Sequence, residues 1–233
     1  RDLAVTGDQV QIQYYSPFAN RDIQVERKDD LASADWEVET EASFTDQGGG
    51  LWLATVSANG RTEAFYQVVA LPPPPLFFDD FEGDPQGSTE GGINNYWEIG
   101  PPEQGPSAAY SGENVYGTGL DENVPGNANA WIRTPEIDLS NLALVNLSYA
   151  EWRNIDPIVE FHWTVVNVVD ADTGDFIEEL TRDAGDTNGA WVERSFRLTG
   201  ASVGRKVVIE FLISTDTSNL LEGWFIDDVL VTE

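Results

Sequence analysis

Apolar and polar side chains alternate through much of this chain, with the period of a β-strand. Val10-Gln-Ile-Gln-Tyr14 is one such run, and Ile23-Gln-Val-Glu26 and Trp36-Glu-Val-Glu39 are two more. The turn Gly48-Gly-Gly50 precedes Leu51-Trp-Leu-Ala-Thr-Val56, and Phe65-Tyr-Gln-Val-Val69 follows later. Further strands are expected at Trp131–Arg133, Leu144–Tyr149, Val159–Val169, Phe176–Leu180, Trp191–Leu198, Lys206–Ile213 and Trp224–Val231. Val207-Val-Ile-Glu-Phe-Leu-Ile213 is almost wholly apolar, which suits a strand covered on both faces. No long amphipathic helix and no internal repeat is evident. The pattern predicts an all-β protein.

The run Leu71-Pro-Pro-Pro-Pro-Leu76 divides the chain, because consecutive prolines cannot join a ladder and favour an extended polyproline stretch. It gives a first domain at 1–70, a linker at 71–76 and a second domain at 77–233. Short strands with turn residues between them make the first domain a small β-sandwich. Within the second lies a Gly/Pro/Asn-rich region from Gly83 to Asn129. It is too long for an ordinary connection, so it holds either short strands or an ordered binding loop.

Charge narrows the possible partners. The chain has 233 residues with 41 acidic and 12 basic side chains, a net charge of -29. Residues 1–73 hold 5 basic and 12 acidic side chains, net -7, and residues 74–233 hold 7 and 29, net -22. Such a surface argues against nucleic acid and anionic membranes, and it favours cations and saline surroundings. No apolar run is long enough to span a bilayer, so no membrane insertion is expected. With no Cys, thiol nucleophiles, disulfides and zinc ribbons are excluded. His162 is the sole histidine, so any Ser-His-Asp triad would have to use it. There is no Gly-x-Ser-x-Gly elbow, and His162 reads as a structural residue in a strand. The chain begins at Arg1 with no initiator Met, which reads as a mature or excised segment of a longer precursor.

Five phrases of the second domain form a recognisable series. They are Phe78-Asp-Asp-Phe-Glu82, Tyr96-Trp-Glu-Ile-Gly-Pro101, Gly105-Pro-Ser-Ala-Ala-Tyr-Ser-Gly112, Thr134-Pro-Glu-Ile-Asp-Leu139 and Gly223-Trp-Phe-Ile-Asp-Asp-Val229. In this order they resemble the MAM-like jelly-roll domains of secreted bacterial proteins. Those include domains of immune-inhibitor-A-type metallopeptidases and choice-of-anchor surface proteins. The resemblance covers about residues 77–232. The first domain is similar to small fibronectin-III-like modules, through Val25-Glu26, Leu31, Trp36 and Phe65-Tyr-Gln-Val68. The implied architecture is two β-sandwiches in series, a fibronectin-III-like module and then a MAM-like jelly roll.

In a jelly roll the first and last strands lie close together. That would gather Asp79, Asp80, Glu82 and Asp84 with Asp227 and Asp228. Unpaired carboxylates in one place repel, and calcium relieves this with six to eight oxygen ligands at flexible geometry. The resemblance implies a structural cation at Glu82 and at Asp227 or Asp228, with Asp84 and Glu113 as further ligands. The alternative is a set of solvated or backbone-capping carboxylates. Asp170-Ala-Asp-Thr-Gly-Asp175 fails the EF-hand pattern and reads as a hairpin turn. Tyr96 and Trp97, in the loop-rich region, are candidates to stack on sugar rings. Carboxylate pairs arise by chance in so acidic a chain, so they do not argue for a glycosidase.

The expected function is a non-catalytic, calcium-stabilised binding or adhesion module of a secreted or surface prokaryotic protein, with a polysaccharide or surface protein as partner. Two alternatives stay open. One is a subunit of an extracellular fibre, tube or sheath that self-assembles through strand edges and calcium. The other is an accessory region of a secreted hydrolase.

Overall fold

A computed structural model of the chain describes residues 2–16, 22–61, 63–83 and 86–233. Among the described residues every regular element is a strand, and no helix is present that could cross a membrane. The chain forms two compact units that meet within the proline run, Arg1–Pro74 and Pro75–Glu233.

The first unit has strands β1 (Asp2–Thr6), β2 (Gln9–Tyr15), β3 (Ile23–Lys28), β4 (Glu37–Val38), β5 (Ser43–Gly48), β6 (Leu51–Ser57) and β7 (Phe65–Ala70). They build two sheets, β1-β2-β6-β5 and β4-β3-β7. Lettered in chain order, the first sheet runs A-B-F-E and the second D-C-G. The alternation in β2 and β6 puts Val10 opposite Val56 and Ile12 opposite Ala54. Val10, Tyr14, Val25, Ala54 and Val56 are buried between the sheets. Buried Arg27 is held by Asp29, Glu37 and Glu39, with its Nε 2.6 Å from the Glu39 carboxylate.

The second unit begins with β8 (Phe77–Asp79), β9 (Thr89–Ile93), β10 (Trp97–Gly100), β11 (Val115–Thr118), β12 (Asn129–Arg133) and β13 (Ile137–Asp138). It continues with β14 (Asn146–Asn154), β15 (Trp163–Asp170), β16 (Phe176–Asp183), β17 (Val192–Arg197), β18 (Lys206–Ser214) and β19 (Gly223–Thr232). One sheet has the order β10-β11-β19-β14-β17, with β8 also on β19. The other has β16-β15-β18-β12-β9, with β13 on β18. Their inner faces meet through Leu147, Tyr149, Ile209, Phe211, Ile213, Trp224 and Ile226. Tyr149 and Trp224 both pack against Phe211, at centroid distances of 5.1 and 5.7 Å.

A bulge in β19 decides which residues reach the outside. Ser148 pairs with Leu230, but Ala150 pairs with Asp227, so β19 carries an extra residue there. Asp228 takes a left-handed φ of 49° at this point. A bulge shifts the side-chain alternation by one. Before it, Trp224 and Ile226 face the core and Phe225 and Asp227 face out; after it, Val229 and Val231 face the core and Leu230 faces out. Without the bulge, one half of this strand would present its apolar residues to water.

The region from Gly83 to Asn129 meets both expectations at once. It carries β9, β10 and β11, and between the last two a long ordered loop at 101–114. That loop crosses the outer face of the first sheet of this unit and buries Trp152 and Phe225 under Ala109. Gly105 is needed there, since a Cβ would sit 2.8 Å from the Phe225 ring. Several strand limits differ from those expected. Residues 159–161 form a turn before β15 rather than its start. Asp170–Asp175 is the hairpin turn between β15 and β16, with the Asp170 carboxylate accepting the N–H groups of Asp172 and Thr173.

A buried ion group links the two sheets of the second unit. Glu151 is buried, and its carboxylate accepts hydrogen bonds from Arg153 (2.9 Å), Arg194 (3.2 Å) and the Trp224 indole (2.9 Å). Arg194 also donates to Asp183 on β16, which ties the two sheets together. Burial raises the Glu151 pKa, against the pull of the two arginines.

Candidate functional site

The antiparallel pairing of β8 with β19 brings the first and last strands of the second unit together, with Asp79 opposite Val229. The carboxylates then divide. Asp79 shares the inward side with Val229, is buried, and accepts the Phe81 N–H at 3.0 Å. Burial raises its pKa. Asp227 lies on the outward side, under the 101–114 loop. Asp80 is half-buried and caps the Glu82 N–H at 3.2 Å. Of the carboxylates expected to gather, Asp79 is therefore turned away from Asp227. Among the described residues, no three acidic or histidine side chains converge as metal ligands would. The physical reason is the strand alternation, which sends Asp79 and Asp227 to opposite faces of one sheet. Asp84 lies outside the described residues.

What the outward carboxylates share is a loop. Asp227 Oδ2 accepts the N–H groups of Tyr110 (3.0 Å) and Ser111 (3.1 Å), and its Oδ1 accepts the Asp228 N–H (2.8 Å). Asp228 Oδ1 accepts the Ser111 hydroxyl at 2.8 Å. Glu82 Oε1 accepts the N–H groups of Glu113 (2.7 Å) and Asn114 (2.6 Å). Glu113 thus contributes its backbone, while its side chain is exposed. The amides of Tyr110, Ser111, Glu113 and Asn114 are thus held by two carboxylates, Asp227 and Glu82, while Asp228 holds the Ser111 hydroxyl.

Two backbone features make this possible. Phe81 has φ 57°, a left-handed conformation costly for a bulky residue. Its ring packs edge-on against Tyr116 at 5.5 Å while the next residue, Glu82, reaches the loop. Gly112, also left-handed at φ 58°, leaves room for that carboxylate: a Cβ there would lie 2.4 Å from Glu82 Oε1.

The electrostatics are unbalanced. Asp227 has no exposed surface, and burial pushes its pKa up to about 6, against the lowering effect of its N–H donors. Arg133, Arg153, Arg182, Arg194, Arg205 and Lys206 pair elsewhere, with Glu136, Glu151, Asp170, Glu179, Asp183 and Glu210. Among the described residues none forms an ion pair with Asp79, Asp80, Glu82, Glu113, Asp227 or Asp228. Backbone dipoles alone stabilise the Asp227 charge. Glu82 Oε2 accepts the Asn114 side-chain amide at 3.4 Å, and the Asp228 bond to Ser111 uses only Oδ1.

The aromatic candidates separate. Tyr96 is 44% exposed, in an open hollow of about 330 Å³ shared with Asn95, Glu98, Asp121 and Glu122. Trp97 corrects the expectation: it is 4% exposed and packs edge-on with Tyr116 and Trp224 at 5.6 and 5.7 Å. It begins β10 with its ring in the core, so its face is not free for a ligand.

His162 is fully buried, and its Nε2 lies 2.9 Å from Asp216 Oδ1. The Ser218 hydroxyl donates to the same carboxylate oxygen at 2.7 Å, not to the imidazole. The serine therefore has no base to take its proton, and the group is structural.

Sequence reasoning missed a second hollow, on the outer face of the β17-β14-β19-β8 strands. It has a volume of about 470 Å³ and includes Phe78, Tyr110, Ser148, Glu193, Ser195 and Asp228 in its lining. The signal was present in the outward positions of β14 and β17, where serine stands instead of a large apolar or charged residue.

No family model matches the chain. Bacillopeptidase F of Bacillus subtilis (strain 168) is 34% identical over 157 residues, 66% of this chain. The match spans only 10% of that protein's length. The K1 cleaved adhesin domain of Lys-gingipain from Porphyromonas gingivalis W83 superposes with a TM-score of 0.50 at 16% identity, over 67% of this chain and 96% of that domain. The K3 cleaved adhesin domain of the same protein gives 0.49 at 18% identity, over 68% and 98%. The likeness to the K1 domain supports a β-sandwich fold for the second unit.

Proposed function

We propose that this chain is a non-catalytic, calcium-stabilised binding or adhesion module of a secreted or surface prokaryotic protein, with a polysaccharide as its partner class. The first unit is then a fibronectin-III-like spacer and the second a MAM-like jelly roll. The observation that carries the reading is Asp227, a fully buried carboxylate held by amides alone, without a basic partner. A divalent cation beside it and Glu82 supplies the missing positive charge and fixes the loop at 101–114. The chain's own part is to hold that loop in place over the sheet, and to keep aromatic and hydroxyl groups ordered on the face beside it. The structural likeness to an adhesin domain agrees with this reading.

A second reading is favoured by the match to Bacillopeptidase F, a peptidase of which this chain resembles a tenth. Here the module is an accessory region of a secreted protease and serves to hold the enzyme at a surface. The fibre-subunit alternative has no comparable support.

Sedimentation of the chain with millimolar calcium and with chelator, followed by passage over immobilised polysaccharides, separates the readings. The proposal expects a monomer in both conditions and calcium-dependent retention. Calcium-driven polymers would overturn it in favour of a fibre subunit. A monomer that no surface retains would leave only the accessory reading.

A further inference from the structure

The pairing of four strands sets one row of outward side chains beside the loop. Ser195 pairs with Ser148, Ser148 with Leu230, and Leu230 with Phe78. At the usual strand spacing of ~4.8 Å this row is about 14 Å long, enough for a short oligosaccharide. Phe78 is 42% exposed and stands at one end of the row. Tyr110, 39% exposed, rises from the loop as a wall and leans on Trp191 at a centroid distance of 6.0 Å. Its hydroxyl is held by Glu193, so the ring is fixed before any ligand arrives. The enclosed volume of about 470 Å³ lies within the range of ligand-binding clefts.

The geometry points to this groove as a binding site for a neutral polysaccharide, a step that rests on the binding-module reading above. Aromatic faces at Phe78 and Tyr110 suit the C–H faces of sugar rings. Glu193 and Asp228 each have one carboxylate oxygen taken, by the Tyr110 and Ser111 hydroxyls, and one left. An ionised carboxylate only accepts hydrogen bonds, so these oxygens call for a ligand rich in hydroxyl donors. Ser148 and Ser195 both donate and accept. Arg194 also lines the groove but its charge is taken by Glu151 and Asp183, so the groove carboxylates and the net charge of -29 repel uronate, sulfate and phosphate polymers. The same Asp228 that accepts from Ser111 lines the groove, so ordering of the loop and shaping of the groove are one event.

The test is affinity electrophoresis of the full chain through gels containing soluble xylan, mixed-linkage β-glucan or galactan, with polygalacturonate as the anionic control. The inference expects retardation by at least one neutral polymer and none by polygalacturonate. Ser195 is exposed, so Ser195→Trp fills the groove without disturbing the core; it should weaken retardation at least about tenfold, as loss of a central contact does. Glu193→Gln should weaken it several-fold, and Ser195→Trp should leave the melting temperature in calcium unchanged. Neutral-polymer retardation that survives Ser195→Trp but is lost in Tyr96→Ala overturns the groove and leaves the binding-module reading intact. Retardation by none of the neutral polymers, or retention on immobilised oligolysine instead, also overturns it. The calcium dependence of melting in the same samples then tells whether the broader reading has failed as well.

Discussion

Asp227 concentrates the account in one side chain. Its carboxyl is raised from the ordinary 3.8 to about 6 by burial. The folded state therefore holds this proton more tightly than the unfolded chain does. The stabilisation is complete below pH ~4 and is lost as pH rises through about 6, a loss on the order of 3 kcal/mol for this group. In chelator, wild type should lose stability between pH 4 and 7 relative to Asp227→Asn, as measured by urea denaturation at each pH. Asp216 has the opposite sign. Hydrogen bonds from His162 and Ser218 lower its pKa to about 2. Its contribution is present above the ordinary carboxylate range and is lost as pH falls through about 2. Asp216→Asn should accordingly flatten the acid limb of the same stability profile. Gly112 is the third sensitive point. A Cβ there meets Glu82 at 2.4 Å and the left-handed φ adds strain, so Gly112→Ala should destabilise by about 1–3 kcal/mol and weaken the calcium response. A variant with unchanged melting would show that Glu82 does not need that approach.

Strand and loop elements explain what the sequence made legible. Apolar alternation located β2, and a nearly continuous apolar run located β18, because the first buries one face and the second lies mid-sheet with much of both faces covered. The short strands β9, β10 and β11 were hidden, since their pairing depends on β12 and β19 far along the chain. The bulge in β19 was also invisible, because Asp227 and Asp228 are adjacent acids whichever of them faces the loop. For the same reason the acidic phrases were found but their distribution over two faces was not. Glu151 was missed entirely: one acid among 41 carries no mark of burial. Removing it would leave Arg153 and Arg194 to share Asp183 as their one remaining carboxylate partner. Glu151→Ala should cost about 3–5 kcal/mol, read by chemical denaturation. A change under 1 kcal/mol would mean that water reaches the pair.

The whole chain combines two units with separate cores and an uneven charge. Most of the excess, -22 of -29, lies C-terminal to residue 73. Self-repulsion of that size is screened over about 10 Å at 0.1 M salt. Low ionic strength should therefore lower the melting temperature in chelator, and salt should restore part of it. In the proposed reading calcium acts differently, at one locus and at far lower concentration. The most direct measurement is the melting temperature of wild type and Asp227→Asn, each in millimolar calcium and in chelator at pH 7 and constant ionic strength. A cation that binds only the folded state at 100 times its Kd stabilises by ~2.7 kcal/mol, a rise of roughly 5–10 °C for a domain of this size. The account predicts that rise in wild type and little or none in Asp227→Asn. No rise in wild type, or an equal rise in both proteins, would contradict it.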